Sequence, residues 1–544
     1  FLLGMTIGVK RSLLVALLLL MALAAWRGWG DLTGTLRSLR SFIRELRDSR
    51  RLLLLAAAIV CMLLLDVLQA LAPLTGSDAL HYHFTGPLLD LGRKFAPHFD
   101  MAQSFETGQT HLLILVGLTL GSDHVALGLI FLGGVLTAGA LFLLARQLMT
   151  RGWALTVVLV FLLTPLVFWQ MTVAGAPDVW MAFYTTLAVL AAARGVASRH
   201  HRCFVLAGWL AGAAAGAKYT GWAIPAVLVL LIAAEVRSLR PAVLAGVASL
   251  AAGIYPLLRN FLWTGDLFFP FFARWFAPET VNAYMLGVFQ ADTGMGTARA
   301  SILQMLTYPF IVVLEGNSHG VGHYLGPLVL AFAPLLLLAL RRTPLVRLTA
   351  LLWLGVLVSN MLTSQMGRFL LPVFPLTLAL VFAGVARLDG KPFALARAGC
   401  RATLALFFLF AVASYALYAK DFLPVVLGLE SRQDFLVRKA PDYRTADFVN
   451  RQMAGRDGKV MVFFRHVYYL RVPYVPADPD KSWRMDPDRY RTPQQTLDLF
   501  RQLGVRWVLK APAYPEPLAP AFEQLEAQGC LRPAAFEEID VLHG

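Results

Sequence analysis

Charge is scarce in this sequence. Asp, Glu, Lys and Arg make up 15% of its 544 residues, where soluble domains carry about 25%. Hydrophobic residues make up 58%, and the mean hydropathy is +0.63. A soluble fold has no way to hide so much apolar surface, so lipid is the natural solvent for this chain. Cysteine is scarce too. Cys61 lies inside an apolar run, Cys203 and Cys400 sit at basic helix ends, and Cys530 falls in the polar tail. These positions offer no disulfide framework, and there is no Cys-x-x-Cys pair or metal-type Cys/His spacing. A small-residue cleavage site is also missing after the first apolar run, 12–26, which follows Lys10 and Arg11 and reads as an extra span or an uncleaved anchor.

The charge that is present leans basic, with 48 Lys and Arg against 33 Asp and Glu, a formal net of +15. The bases gather in short loops between apolar runs, where membrane topology puts them, so no nucleic-acid partner is expected. Arg37, Arg40, Arg44, Arg47 and Arg50 recur at helical spacing and predict an amphipathic segment on the membrane surface. Apolar spans follow at 52–71, 125–145, 153–169, 179–193, 204–217, 222–234, 242–257, 324–340, 348–362, 369–386 and 402–418. Several are shorter than the roughly 20 residues a straight span needs, which predicts extended ends or broken helices.

If 52–71 runs from inside to outside, the inside loops should hold the bases. They hold Arg146 and Arg151; Arg194, Arg199 and Arg202; Arg237 and Arg240; Arg341, Arg342 and Arg347; and Arg387, Lys391, Arg397 and Arg401. The same parity puts 73–124, 258–323 and everything after Tyr418 outside. The expected organisation is an anchor and basic segment over 1–51, a membrane domain over 52–418 and an extracytoplasmic domain over 419–544. The tail is charged and contains prolines. It predicts strands at 459–464 and 505–510 and helices at 492–503 and 520–528, hence a small α/β domain serving as a lid or docking element.

Ionisable residues near membrane depth are costly and point to function. Asp78 opens one such set, in Gly76-Ser77-Asp78-Ala79-Leu80-His81-Tyr82-His83 directly after the first long span. A carboxylate there suits general-base work, although Asp is equally a favoured helix N-cap. Asp178 stands at another outside helix start, and Glu106 is a third acid in the first outside loop. Lys218, Arg259 and Arg368 are isolated bases on the side that topology keeps poor in bases. Snorkelling explains one such residue; three predict an anion held near the membrane surface, Arg as a bidentate fork and Lys as a point charge. His81 and His83 flank Tyr82 and serve packing or substrate hydrogen bonds. A divalent cation between Asp78, Glu106 and Asp178 is the less favoured alternative, and no other cofactor is expected.

In chain order these pieces continue with Gly-Ala-Lys-Tyr-Thr-Gly at 216–221, Arg259-Asn260-Phe261-Leu262-Trp263-Thr264-Gly265-Asp266 and Arg368-Phe369-Leu370-Leu371-Pro372. The arrangement resembles the class C (GT-C) polyprenyl-phosphate-dependent glycosyltransferases, in the bacterial branch of protein O-mannosyltransferases and the lipid A aminoarabinose transferase. The resemblance covers roughly 52–386. It implies an all-α polytopic membrane bundle of about 11–12 helices in a bacterial inner membrane, with the site and the small α/β domain in the periplasm. It also implies transfer, with inversion, from a polyprenyl-phosphate sugar to a lipid, glycan or protein acceptor. Asp78 would activate the acceptor, Asp178 would orient acceptor or sugar, and Lys218, Arg259 and Arg368, with Asn260 beside them, would hold the phosphate. The first loop lacks the Asp-Glu pair of the mannosyltransferases, and no Trp-Trp-Asp motif occurs, which argues against an oligosaccharyltransferase. The rival class is a transporter or lipid flippase. Transporters often carry internal repeats, and none is evident here.

Overall fold

The computed structural model describes residues 5–6, 8, 10–26, 29–106, 108–292, 302–314, 324–339, 343–363, 366–389, 393–511 and 513–538. Arg341, Arg342 and Lys391 of the basic loops, residue 340 of one expected span, and 293–301 and 315–323 of the second long stretch lie outside the described residues.

Apolar runs become helices because lipid offers no partner to an open backbone N–H or C=O. Among the described residues, seven helices are long and apolar enough to cross a membrane: Arg50–Ala70, Asp123–Leu148, Asp178–Ser198, Tyr219–Val236, Pro344–Met361, Gly367–Ala386 and Ala394–Val426. Two further spans are broken. Arg151–Leu163 meets Pro165–Thr172 at 65°, and Leu239–Gly253 meets Tyr255–Thr264 at 56°. Proline explains both bends. Thr164, before Pro165, is forced into an extended conformation. Pro256 has no N–H to offer the carbonyl four residues earlier, at Ala252, and the Gln109 side-chain amide donates to that oxygen instead. The remaining apolar runs form shorter helices, His201–Ala217, Gln109–Thr119 and Leu328–Ala339 among them.

The spans differ in how deeply they sit. Gly367–Ala386 is 89% buried and Asp178–Ser198 is 72% buried, whereas Arg50–Ala70 is 17% buried. The first two form the centre of the bundle, and the last faces lipid. Their polar ends are therefore placed by the best-packed part of the molecule.

The helices also sort by charge. The helix Asp123–Leu148 carries Arg146 in its last turn, and the helices leading away from Asp178 and Lys218 end at Arg199 and Arg237, both in the left-handed conformation at the helix C-cap. Ahead of them the helix Trp29–Asp48 carries its arginines on an exposed face, as the spacing predicted. The last long helix continues past Tyr418 to Val426. Beyond it lies a three-stranded parallel sheet in the order β2-β1-β3, from β1 Lys459–Val462, β2 Tyr474–Pro476 and β3 Val505–Val508. Helices Pro493–Leu503 and Ala519–Ala527 cover it, and Met461, Phe500, Phe522 and Leu525 form the shared core. Two strands and both helices match the sequence pattern. Strand β2 ends on Pro476 in a proline-rich stretch, which hides the usual alternation.

Candidate functional site

Asp78 follows a sharp exit from the helix Arg50–Ala70. The Leu80 N–H bonds back to Gly76 O at 2.9 Å, and residues Ala79–His83 then form one π-helical turn, with the Phe84 N–H reaching Ala79 O at 3.0 Å. Turns of this width are common at functional sites because they re-aim side chains that an α-turn would stack. His81, Tyr82 and His83 are all buried here. The Asp78 carboxylate makes no capping bond to this turn among the described residues. Its Oδ2 accepts from Arg368 Nη1 at 2.5 Å.

Arg368 sits on the 3-10 stretch Gly367–Val373 that leads into the central span. Its guanidinium carbon lies 5.2 Å from the centre of the Phe369 ring, and Lys218 Nζ lies 4.1 Å from the same centre. One aromatic ring thus serves two cations. Lys218 is 5% exposed and extended, between His201–Ala217 and the next turn. The first long loop fixes it. Gly108 N–H donates to Ala217 O at 3.1 Å and Tyr219 N–H donates to Glu106 O at 3.2 Å, so Glu106 and Gly108 are tied to the two sides of Lys218. A Cβ on Gly108 would lie 1.8 Å from Gly216 O, so only glycine permits this approach.

Asp178 opens the other central span. It is 1% exposed, makes no capping bond, and neither carboxylate oxygen has a hydrogen-bond partner among the described residues. Its charge acts on Lys218, Arg368 and Tyr82, and the charges of Asp78 and Glu106 also reach Lys218. Asp78, Asp178, Glu106, Tyr82, Lys218 and Arg368 therefore form one electrostatic group. Burial works to raise the Asp78 carboxyl, but Arg368, followed by His83 and Lys218, holds it well below the usual carboxylate range. Burial dominates at the imidazoles and pushes His81 and His83 down to about 3, against the pull of Asp78.

Arg259 and Asn260 stand apart from this group. Arg259 Nη2 and Asn260 Nδ2 both donate to Phe105 O, at 2.8 and 2.9 Å, and Arg259 Nε donates to Asn260 Oδ1 at 3.1 Å. Asn260 Nδ2 also donates to the Tyr219 hydroxyl, which donates to Phe269 O at 2.9 Å. Arg259 borders a small hollow of about 30 Å³ shared with Asp90, His98, His111, Tyr255 and Trp263, room for about one water. The two neighbourhoods meet where His83 Nδ1 lies 3.1 Å from His111 Nε2. Phe369 and His111 were not singled out in the sequence; the aromatic directly after Arg368 was the available signal for the first. Among the described residues, no three His, Cys, Asp or Glu side chains are grouped as a metal-ligand set.

The helical bundle with its small C-terminal sheet has a class C glycosyltransferase-like fold, which solved structures share. ArnT from Cupriavidus metallidurans in the apo state superposes with a TM-score of 0.53 at 15% identity, over 83% of this chain and 89% of that one. The same protein bound to undecaprenyl phosphate gives 0.50 at 16% identity, over 78% and 85%. The Archaeoglobus fulgidus oligosaccharyltransferase in complex with Zn and sulfate gives 0.51 at 14% identity, over 83% and 67%. At such identities the likeness is one of fold. No protein-family model matches the chain, and no curated protein does.

Proposed function

We propose that this chain is a membrane glycosyltransferase that takes a sugar from a polyprenyl-phosphate carrier and adds it to a lipid, glycan or protein acceptor of the cell envelope. The observation that carries this reading is the pair of cations, Lys218 and Arg368, sharing the Phe369 ring beside Asp78. Desolvated like charges repel, so such a pair needs anions close by. Asp78 is one, and a phosphodiester oxygen of the carrier is another. The ArnT structure bound to undecaprenyl phosphate, on the same fold, supports a carrier of this class.

In the proposed reaction an acceptor hydroxyl attacks the anomeric carbon opposite the phosphate. The carbon–oxygen bond to phosphate breaks, its electron pair leaves with the phosphate oxygen, and the centre inverts. Lys218 and Arg368 stabilise the charge that develops on that oxygen. Asp78 takes the hydroxyl proton. While Arg368 pairs with Asp78 alone, the carboxylate is too weak a base; sharing Arg368 with phosphate raises its basicity when the donor is bound. Asp178 has two acceptor oxygens free for sugar or acceptor hydroxyls. Tyr82, His81, His83 and Glu106 complete the walls. Arg259 and Asn260 act at one remove, by holding Phe105 and with it the adjoining Glu106.

The basic helix ends belong in the cytoplasm by the positive-inside rule. We infer that the site and region 419–544 face the periplasm of a bacterial inner membrane, with 52–418 as the transferase body and 1–51 as its anchor. The test is transfer of radiolabelled sugar from polyprenyl phosphate to envelope acceptors by the purified protein in lipid, wild type against Asp78→Asn. Wild-type transfer that the substitution abolishes is the expected result. No transfer with any donor, together with substrate flux in liposomes, would replace the enzyme with a transporter.

A further inference from the structure

The loop carrying Asp78 is clasped from two sides. On one side a Cβ on Gly76 would lie 2.3 Å from Val173 O, so the loop lies flat on the segment leading to Asp178. On the other, residues 465–469 of the C-terminal region close over it. Tyr469 OH donates to Leu74 O at 2.7 Å. Ser77 Oγ lies 2.8 Å from His466 Nε2, and Arg465 donates to both, from Nη2 to Ser77 Oγ and from Nε to His466 Nε2, each at 3.2 Å. His466 Nδ1 lies 2.6 Å from Asp442 Oδ2. A guanidinium only donates, so Nε2 is the acceptor, the Ser77 hydroxyl donates to it, and Nδ1 carries the ring proton towards Asp442. His466 is buried, and Asp442 is held at φ 58°, a conformation uncommon for a residue with a side chain.

The serine–histidine–aspartate order is that of a hydrolase, but hydrolase chemistry does not fit here. Arg465 already occupies the Ser77 oxygen, and the neighbouring Asp78 carboxylate would repel an oxyanion. The geometry does suit orientation. Ser77 is bonded directly to Asp78, so pinning its side chain sets the angle at which Asp78 meets Arg368. We propose that His466, supported by Asp442 and Arg465, is a positioning residue for Asp78, and that the C-terminal region thereby completes the site. The consequence for turnover rests on the glycosyltransferase reading; the contact does not.

Two measurements on the full chain in lipid nanodiscs separate the two ideas. In the transfer assay, Ser77→Ala and His466→Phe should each lower kcat tenfold or more with KM for the lipid donor within twofold. The double variant should be no worse than either single one. His466→Gln, which keeps an acceptor near the Nε2 position, should recover most of the rate. Hydrogen exchange of amides 76–84 should rise at least tenfold in His466→Phe, whatever the activity. Rates within twofold of wild type in both single variants overturn the proposal even while the enzyme works. If wild type transfers no sugar, the function reading fails alone, and exchange decides: faster exchange at 76–84 supports the clasp, and unchanged exchange overturns it.

Discussion

Arg368, on the 3-10 stretch that opens one span, and Arg259, in the helix Tyr255–Thr264 of a bent span, are the same residue type with different partners. Arg368 faces a carboxylate and an aromatic ring, neither of which belongs to the backbone scaffold. Arg259 directs its Nη2 at the Phe105 carbonyl and its Nε at the adjacent Asn260. A guanidinium tied to a main-chain carbonyl is a strut. One that faces a side-chain carboxylate can exchange that anion for another, and so can bind a ligand. Burial and charge alone do not separate the two; the partner does.

Removing the two groups should therefore fail in different ways. Asp78→Asn is expected to lower sugar transfer by about a thousandfold and Arg368→Ala by about a hundredfold to a thousandfold, with Arg368→Lys recovering part of the loss; steady-state kinetics at saturating donor measure both. Arg259→Ala should instead cost about 2 kcal/mol of stability, because the Phe105 carbonyl loses a buried charged donor. Thermal unfolding in detergent would show it as a lower Tm, with kcat of the folded fraction changed only a few-fold. A thousandfold loss of kcat at unchanged Tm would erase the distinction and move Arg259 into the binding group.

The buried histidines of the π-helical turn give a smaller, pH-dependent handle. His81 and His83 titrate at about 3 when folded and near 6.5 when unfolded. The unfolded chain therefore takes up protons first as pH falls. Stability is fully present above about 6.5 and should decline by on the order of 1 kcal/mol per pH unit per histidine on the way down towards the folded values. The slope of Tm between pH 7 and 4.5 should flatten in His81→Asn. An unchanged slope would remove His81 from the titration. The smallest effect is expected at Phe369→Leu, which removes the ring shared by Lys218 and Arg368. About 1 kcal/mol of cation–π stabilisation, roughly fivefold in donor affinity, is at stake.

Several features were legible in the chain before any coordinates. Scarce charge, long apolar runs and the alternation of basic loops define a polytopic helical membrane protein. The strands at 459–464 and 505–510 show as short apolar runs, and the bent spans as the runs 153–169 and 242–257, too short for a straight crossing. Asp78, Lys218 and Arg368 stood out because charge at membrane depth is rare. N-capping was an equal local explanation for Asp78 and Asp178, since both stand at helix starts; only coordinates reveal that neither carboxylate caps its helix.

His466 could not have been found in this way, because its importance comes from Ser77, 389 residues away in the chain. The split between Arg368 and Arg259 was hidden for the same reason. Hydropathy and charge spacing are properties of neighbours along the chain, and the bilayer reads them segment by segment, so they mark out the spans. Which anion a buried cation meets depends on contacts between distant segments, and these exist only once the helices have packed.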